Sequence, residues 1–163
     1  MHKICHLFST VLGIGYLPHA PGTWGSVAGL CVSLIGLIYF SFGSSFFLAF
    51  SLLTFILGWI SSWYVLEETD YKENDPSFIV IDEVAGLVFT IGLVGLVFPL
   101  SVWMLIGSFL LFRVFDIFKP WPIGWLDEKL AKSRKTAALG IMIDDMLAGL
   151  MAAFVQLAIL NIL

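Results

Sequence analysis

The chain has 163 residues, 60% of them hydrophobic and 12% charged, with a formal net charge of −4 and a mean hydropathy of +1.00. Soluble globular domains carry roughly twice that share of charge, and the basic residues are few, half of them in one short block, so neither a water-soluble domain nor a nucleic-acid partner is expected. The two cysteines, Cys5 and Cys31, lack metal-type spacing and read as reduced thiols packed like small apolar residues.

Charge is absent from Ile4 to Leu66, from Val84 to Phe112 and from Met146 to Leu163. A spanning helix needs roughly 20 mostly apolar residues, so these gaps hold four to five crossings. Residues 1–26 predict a short amphipathic start followed by a glycine- and proline-rich loop, Pro18-His-Ala-Pro-Gly-Thr-Trp-Gly-Ser26. Gly13, Gly15, Pro18 and Pro21 break any long apolar helix there, so no cleavable signal peptide is expected and the chain enters the membrane through its own first span. A helical hairpin runs from about Val27 to Leu66, turning at Ser41-Phe-Gly-Ser-Ser45. After an acidic stretch, Asp75-Pro76 makes a good helix start. A third span then begins near Ser77, carries Asp82 and Glu83 in its first two turns, and breaks at Phe98-Pro99. A fourth returns to Arg113, Asp116 and Lys119 and must end at Pro120-Trp-Pro122. Trp121 and Trp125 suit the headgroup level, and the last helix opens at Asp144-Asp145.

If the first two gaps are hairpins, every charged residue lies on one face of the membrane. Lys129, Lys132, Arg134 and Lys135 in one short loop place that face in the cytoplasm. The expected fold class is all-α: one polytopic membrane helix bundle, residues 1–163, with its polar loops gathered at the cytoplasmic side. Two segments share the pattern D-x-x-A-G-L, Asp82 to Leu87 and Asp145 to Leu150. In each, a carboxylate sits one turn before small residues that let helix backbones approach closely.

The acidic pairs Asp82/Glu83 and Asp144/Asp145 allow two readings. Carboxylates favour helix N-termini; alternatively, four acids near a bilayer call for a bound cation. Oxygen-only ligands then favour Mg²⁺ over Zn²⁺. Arg113, Asp116 and Lys119 share a helix face at i, i+3 and i+6, either as a self-neutralising anchor or as a phosphate site. The loop to Ser26 is either an ordinary turn or a nest offering amides and the Thr23 hydroxyl to an anion. Oxygen ligands for a hard cation, cations for a phosphate and a membrane location together suit phosphoryl transfer on a lipid. No Walker-type motif is present. A small cation transporter, with the acids as ion ligands, is the alternative.

Four phrases carry a resemblance: Pro18 to Ser26, Asp75-Pro-Ser-Phe-Ile-Val-Ile-Asp-Glu-Val-Ala-Gly86, Phe112-Arg-Val-Phe-Asp-Ile-Phe-Lys-Pro-Trp-Pro-Ile-Gly124 and Gly140-Ile-Met-Ile-Asp-Asp-Met-Leu-Ala-Gly149. In order and over nearly the whole chain, they resemble the bacterial phosphatidylglycerophosphatase A family. The resemblance implies a Mg²⁺-dependent inner-membrane phosphatase facing the cytoplasm, with a phospholipid substrate in the bilayer. It implies motif positions at Pro21, Gly22, Thr23, Asp82, Glu83, Arg113, Asp116, Lys119, Pro120, Asp144 and Asp145. On this reading Asp82, Glu83 and one or both of Asp144 and Asp145 are the metal ligands, and Thr23, Arg113 and Lys119 hold the substrate. Asp82, Asp116 and Asp145 are the catalytic set, with Asp116 either orienting Arg113 or joining the metal shell.

Overall fold

The computed structural model of the chain describes residues 2–68, 76–131 and 134–162. Among these there are helices and no strand: α1 (His2–Ser9), a single 3-10 turn (Ile14–Tyr16), α2 (Pro21–Phe40), α3 (Ser44–Glu68), α4 (Ile81–Gly95), α5 (Val102–Phe118), α6 (Ile123–Ala131) and α7 (Arg134–Ile162). The all-α expectation holds.

Among the described residues three helices are long and apolar enough to cross a bilayer, over Pro21–Phe40, Ser44–Glu67 and Thr136–Ile162, against the four to five expected. With 15 and 17 residues, α4 and α5 are about 22 and 25 Å long, short of the roughly 30 Å of a hydrocarbon core. The packing of α4 also differs from that of the long helices. Twelve of the fifteen α4 residues are buried, so this helix is apolar all round because protein, not lipid, surrounds it.

Three helix starts depart from the sequence reading. Helix α2 begins at Pro21 rather than near Val27, because proline suits the first helical position. The second half of the expected loop is therefore helical. Helix α4 begins at Ile81 rather than Ser77, and the capping role expected of Asp75 lies outside the described residues. Helix α7 begins at Arg134, ten residues before the acids expected to open it. Nothing in Thr136 to Ile143 breaks a helix, and Gly140 is used for contact: a Cβ there would sit 2.8 Å from Leu130 Cβ.

The hairpin turn and the end of α5 follow expectation. The hairpin turns at Ser41 to Gly43, with Ser41 left-handed at φ 53°. The Ser101 hydroxyl caps α5 by accepting from Met104 N–H at 3.3 Å, and α5 stops at Phe118, before a left-handed Lys119 and Pro120.

Close approaches set the helix directions. Gly29 packs on Val84 and Gly86 on Asp145, so α2, α4 and α7 run in parallel; Gly58 meets Ile81 while Gly92 meets Leu48, so α3 is antiparallel to α4. The repeated six-residue pattern lies at the α4–α7 crossing. A Cβ on Gly86 would fall 2.6 Å from the Asp145 carbonyl oxygen, and one on Gly149 would fall 2.5 Å from that of Gly86. The Thr90 hydroxyl lies between, 3.0 Å from the Gly86 carbonyl and 3.1 Å from that of Gly149. Small residues thus allow the backbone contact read from the sequence. Outward faces are apolar, including Ile38 on α2, Leu53 on α3 and Leu110 on α5, while Trp121 and Trp125 are exposed beyond the end of α5.

Candidate functional site

The amino-terminal segment holds the start of α4. Val80 N–H donates to the Ser9 carbonyl at 2.9 Å, and the Tyr16 ring stacks on Phe78 at 5.5 Å. Gly15 lies so close that a Cβ would fall 1.9 Å from the Phe78 carbonyl oxygen. With the chain anchored there, Asp82 and Glu83 occupy the first turn of α4 and are buried.

Helix α7 brings the second acidic pair alongside. Carboxylate oxygens of Asp82, Glu83 and Asp145 all lie within 4.8 Å of one another. Asp145 is 3% exposed, and its Oδ2 has no hydrogen-bond partner among the described residues. Asp144, next in sequence but turned about 100° around the helix, points elsewhere. Its Oδ2 accepts from Lys119 Nζ at 2.5 Å, and its Oδ1 accepts from Asp145 N–H at 3.0 Å.

Arg113 meets both acidic and neutral partners. Its Nη1 donates to Asp116 Oδ2 at 2.5 Å and lies 3.7 Å from Glu83 Oε1. The same nitrogen donates to Ser26 Oγ at 3.2 Å, and Nη2 donates to Thr23 Oγ1 at 3.3 Å. Gly22 and Gly25 make room for Glu83: Cβ atoms on them would fall 1.9 Å from Oε1 and 2.7 Å from Oε2.

These groups surround a cavity of 260 Å³ at one end of the bundle. Asp82, Glu83, Asp116, Lys119, Asp144 and Asp145 line it, beneath Pro21 and Gly22. Five carboxylates against two cations leave an excess of negative charge when all are ionised. Partly buried, such a set favours a cation among Asp82, Glu83 and Asp145. Lys119 supplies positive charge in the lining and Arg113 supplies it just behind Glu83 and Asp116, so the site offers groups for a cation and for an anion close together.

All eight residues singled out from the sequence gather at this end: Thr23, Asp82, Glu83, Arg113, Asp116, Lys119, Asp144 and Asp145. Of the second acidic pair, Asp145 joins the carboxylate triad while Asp144 pairs with Lys119, and Thr23 meets Arg113. Ser26 was missed. Its signal was available in the helical spacing Gly22, Gly25, Ser26, Gly29, Ser33 and Gly36, a seam of small residues on α2. His19 is exposed, in a left-handed turn at φ 64°, and does not line the cavity.

A family model described as phosphatidylglycerophosphatase A matches residues 7–160. A phosphatidylglycerophosphatase A of Haemophilus influenzae is 40% identical over 157 residues, covering 94% of this chain and 87% of the relative. One from Escherichia coli is 32% identical over 153 residues, covering 91% and 78%. A putative phosphatidylinositol-3-phosphatase of Bacteroides thetaiotaomicron is 31% identical over 158 residues, covering 94% and 91%. No solved structure matches the chain.

Proposed function

The chain belongs to the phosphatidylglycerophosphatase A family, and from that premise we propose that it hydrolyses phosphatidylglycerophosphate. Water would cleave the terminal phosphomonoester, leaving phosphatidylglycerol and inorganic phosphate. The observation that carries this reading is a cavity lined by a carboxylate triad and Lys119, with Arg113 against its Glu83 and Asp116, at the end of a bundle with apolar outer faces. The lipid tails can stay in the bilayer while the headgroup reaches the acids. The transporter alternative has no support: the charged groups cluster at one end, and the family is one of phosphatases.

Asp82, Glu83 and Asp145 would hold Mg²⁺. Three carboxylates without a His or Cys suit a hard cation, and the buried Oδ2 of Asp145 gives a further reason for one. When bound, the ion supplies charge neutralisation for the phosphoryl oxygens. Arg113 and Lys119 orient the phosphomonoester, Arg113 with a planar fork and Lys119 with a point charge. Asp116 holds Arg113, and Asp144 holds Lys119 until a phosphate oxygen replaces it. Thr23 adds a hydroxyl beside the Arg113 fork.

The test is phosphate release by the purified chain in detergent, comparing phosphatidylglycerophosphate, phosphatidic acid and phosphatidylinositol 3-phosphate. The third lipid is included because of the Bacteroides relative's name. Phosphatidylglycerophosphate is expected to be the best substrate, with activity lost on chelation and restored by Mg²⁺. Undiminished release in chelator would remove the metal from this reading. The site would face the cytoplasm of a bacterial inner membrane. With Cys5 and Cys31 replaced, His19→Cys and Lys129→Cys are expected to label from inside the cell and Gly43→Cys from outside.

A further inference from the structure

We propose that the first turns of α2 form a hydroxyl socket that orients the Arg113 guanidinium, with Ser26 as a positioning residue; this rests on the phosphatase reading above. Ser26 is fully buried on the α2 seam. Its hydroxyl donates to the Gly22 carbonyl at 3.1 Å, an i−4 bond common to helical serines. Ser33 makes the same bond to Gly29 at 2.8 Å, so that habit alone assigns no role. What distinguishes Ser26 is the charged donor it receives. With its one proton used on Gly22, its oxygen is left to accept from Arg113 Nη1 at 3.2 Å.

Thr23, three residues earlier and so on the same helix face, accepts from Nη2 at 3.3 Å. The two terminal nitrogens are thus held by two hydroxyls spaced along one helix, which sets the plane of the fork. The chemistry of the acceptors matters as much as their place. Asp116 and Glu83 also face Nη1, and carboxylates both hold a guanidinium and cancel its charge. Neutral hydroxyls hold it without cancelling anything, so positive potential is kept for a phosphate. The same turn explains its glycines. Residues 22 and 25 offer no side chain because Glu83 fills that space, while residues 23 and 26 offer oxygen to Arg113.

The experiment is a double-mutant cycle on the full chain in detergent, reading kcat and KM for phosphatidylglycerophosphate. Ser26→Ala should lower kcat/KM about tenfold, the loss expected for a hydrogen bond to a charged group. Combined with Arg113→Lys, which keeps the charge but loses the fork, it should cost less than about twofold more. Thr23→Val should fall in the same coupled way, and Thr23→Ser, which keeps the hydroxyl, should recover most of that loss. Equal losses from Ser26→Ala in both backgrounds, or none in either, would overturn the socket. Should Ser26→Ala fail to fold, equal activity of Thr23→Val and Thr23→Ser overturns it instead. Absence of phosphate release from the unaltered chain would overturn the phosphatase reading itself, an outcome distinct from these.

Discussion

Helices α4 and α7 carry the same six-residue pattern and use it differently. In α4 the acids occupy the first turn, where exposed amides and the helix dipole favour them. In α7 the acids lie ten and eleven residues inside a continuous helix, where the dipole offers little. Asp144 and Asp145 are nonetheless the more buried pair, at 5% and 3% against 9% for each α4 acid. Helix-end electrostatics can therefore account for one pair and not for the other. Asp144 meets Lys119, and Asp145 meets two further carboxylates. That difference marks Asp145 as the acid whose position helix-end electrostatics and an ion pair both leave unexplained.

The largest expected effect tests that asymmetry directly. Asp145→Asn preserves shape and removes charge from the triad, and it should lower kcat by about a thousandfold, the order seen when a preorganised electrostatic group is lost. Asp144→Asn should cost only about tenfold, because Lys119 keeps its charge and the substrate competes for it anyway. Phosphate release by the two purified variants checks this. Equal losses would mean that the neighbours act as a single ligand pair and that the Lys119 contact is incidental.

Much of this contrast was legible before any coordinates. Charge-free runs bounded by polar clusters gave the hairpin of α2 and α3 and brought the motifs to one end. The Ala-Gly steps after each aspartate gave the α4–α7 contact, because no larger side chain fits where two backbones touch. Helix starts were less legible. Asp144-Asp145 looked like a beginning because charge at a membrane helix usually marks its end; Thr136 to Ile143 continues the helix because protein packs around it. Pro21 carried the start of α2 in plain sight, as a first-turn proline. The division of labour between Asp144 and Asp145 was not readable, since adjacency along the chain says nothing of two side chains turned about 100° apart. Ser26 went unread because its partner is 87 residues away.

The crossing itself offers the next effect in size. Gly149→Ala places a methyl 2.5 Å from the Gly86 carbonyl oxygen and 3.0 Å from Thr90 Oγ1. Backbone cannot yield as a flexible side chain can, so the helices must separate, at about 2 kcal/mol. Gly43→Ala, at a turn with open space around the position, is the control and should cost far less. Denaturation in detergent measures both. Because the crossing sets the distance from Asp145 to Asp82, Gly149→Ala should lose activity even under conditions where it stays folded. A folded, fully active variant would separate the crossing from the triad.

The smallest effect concerns Thr90, whose hydroxyl reaches both the Gly86 and the Gly149 carbonyls at the close contact. A hydroxyl has one proton, so it donates to one carbonyl at a time. Thr90→Val keeps the branched shape and removes that donor. In a membrane-type interior the average cost of such a loss is about 0.6 kcal/mol; Thr90→Ser should recover most of it. If Thr90→Val is as stable as the unaltered chain while Gly149→Ala is not, steric fit alone holds α4 against α7. If both destabilise, the hydroxyl adds attraction to that fit, and the parallel helices are joined by a polar contact as well as by the absence of side chains. Either outcome leaves the acids of α7 where the backbone of α4 sets them, one turn before the glycine that makes the approach possible.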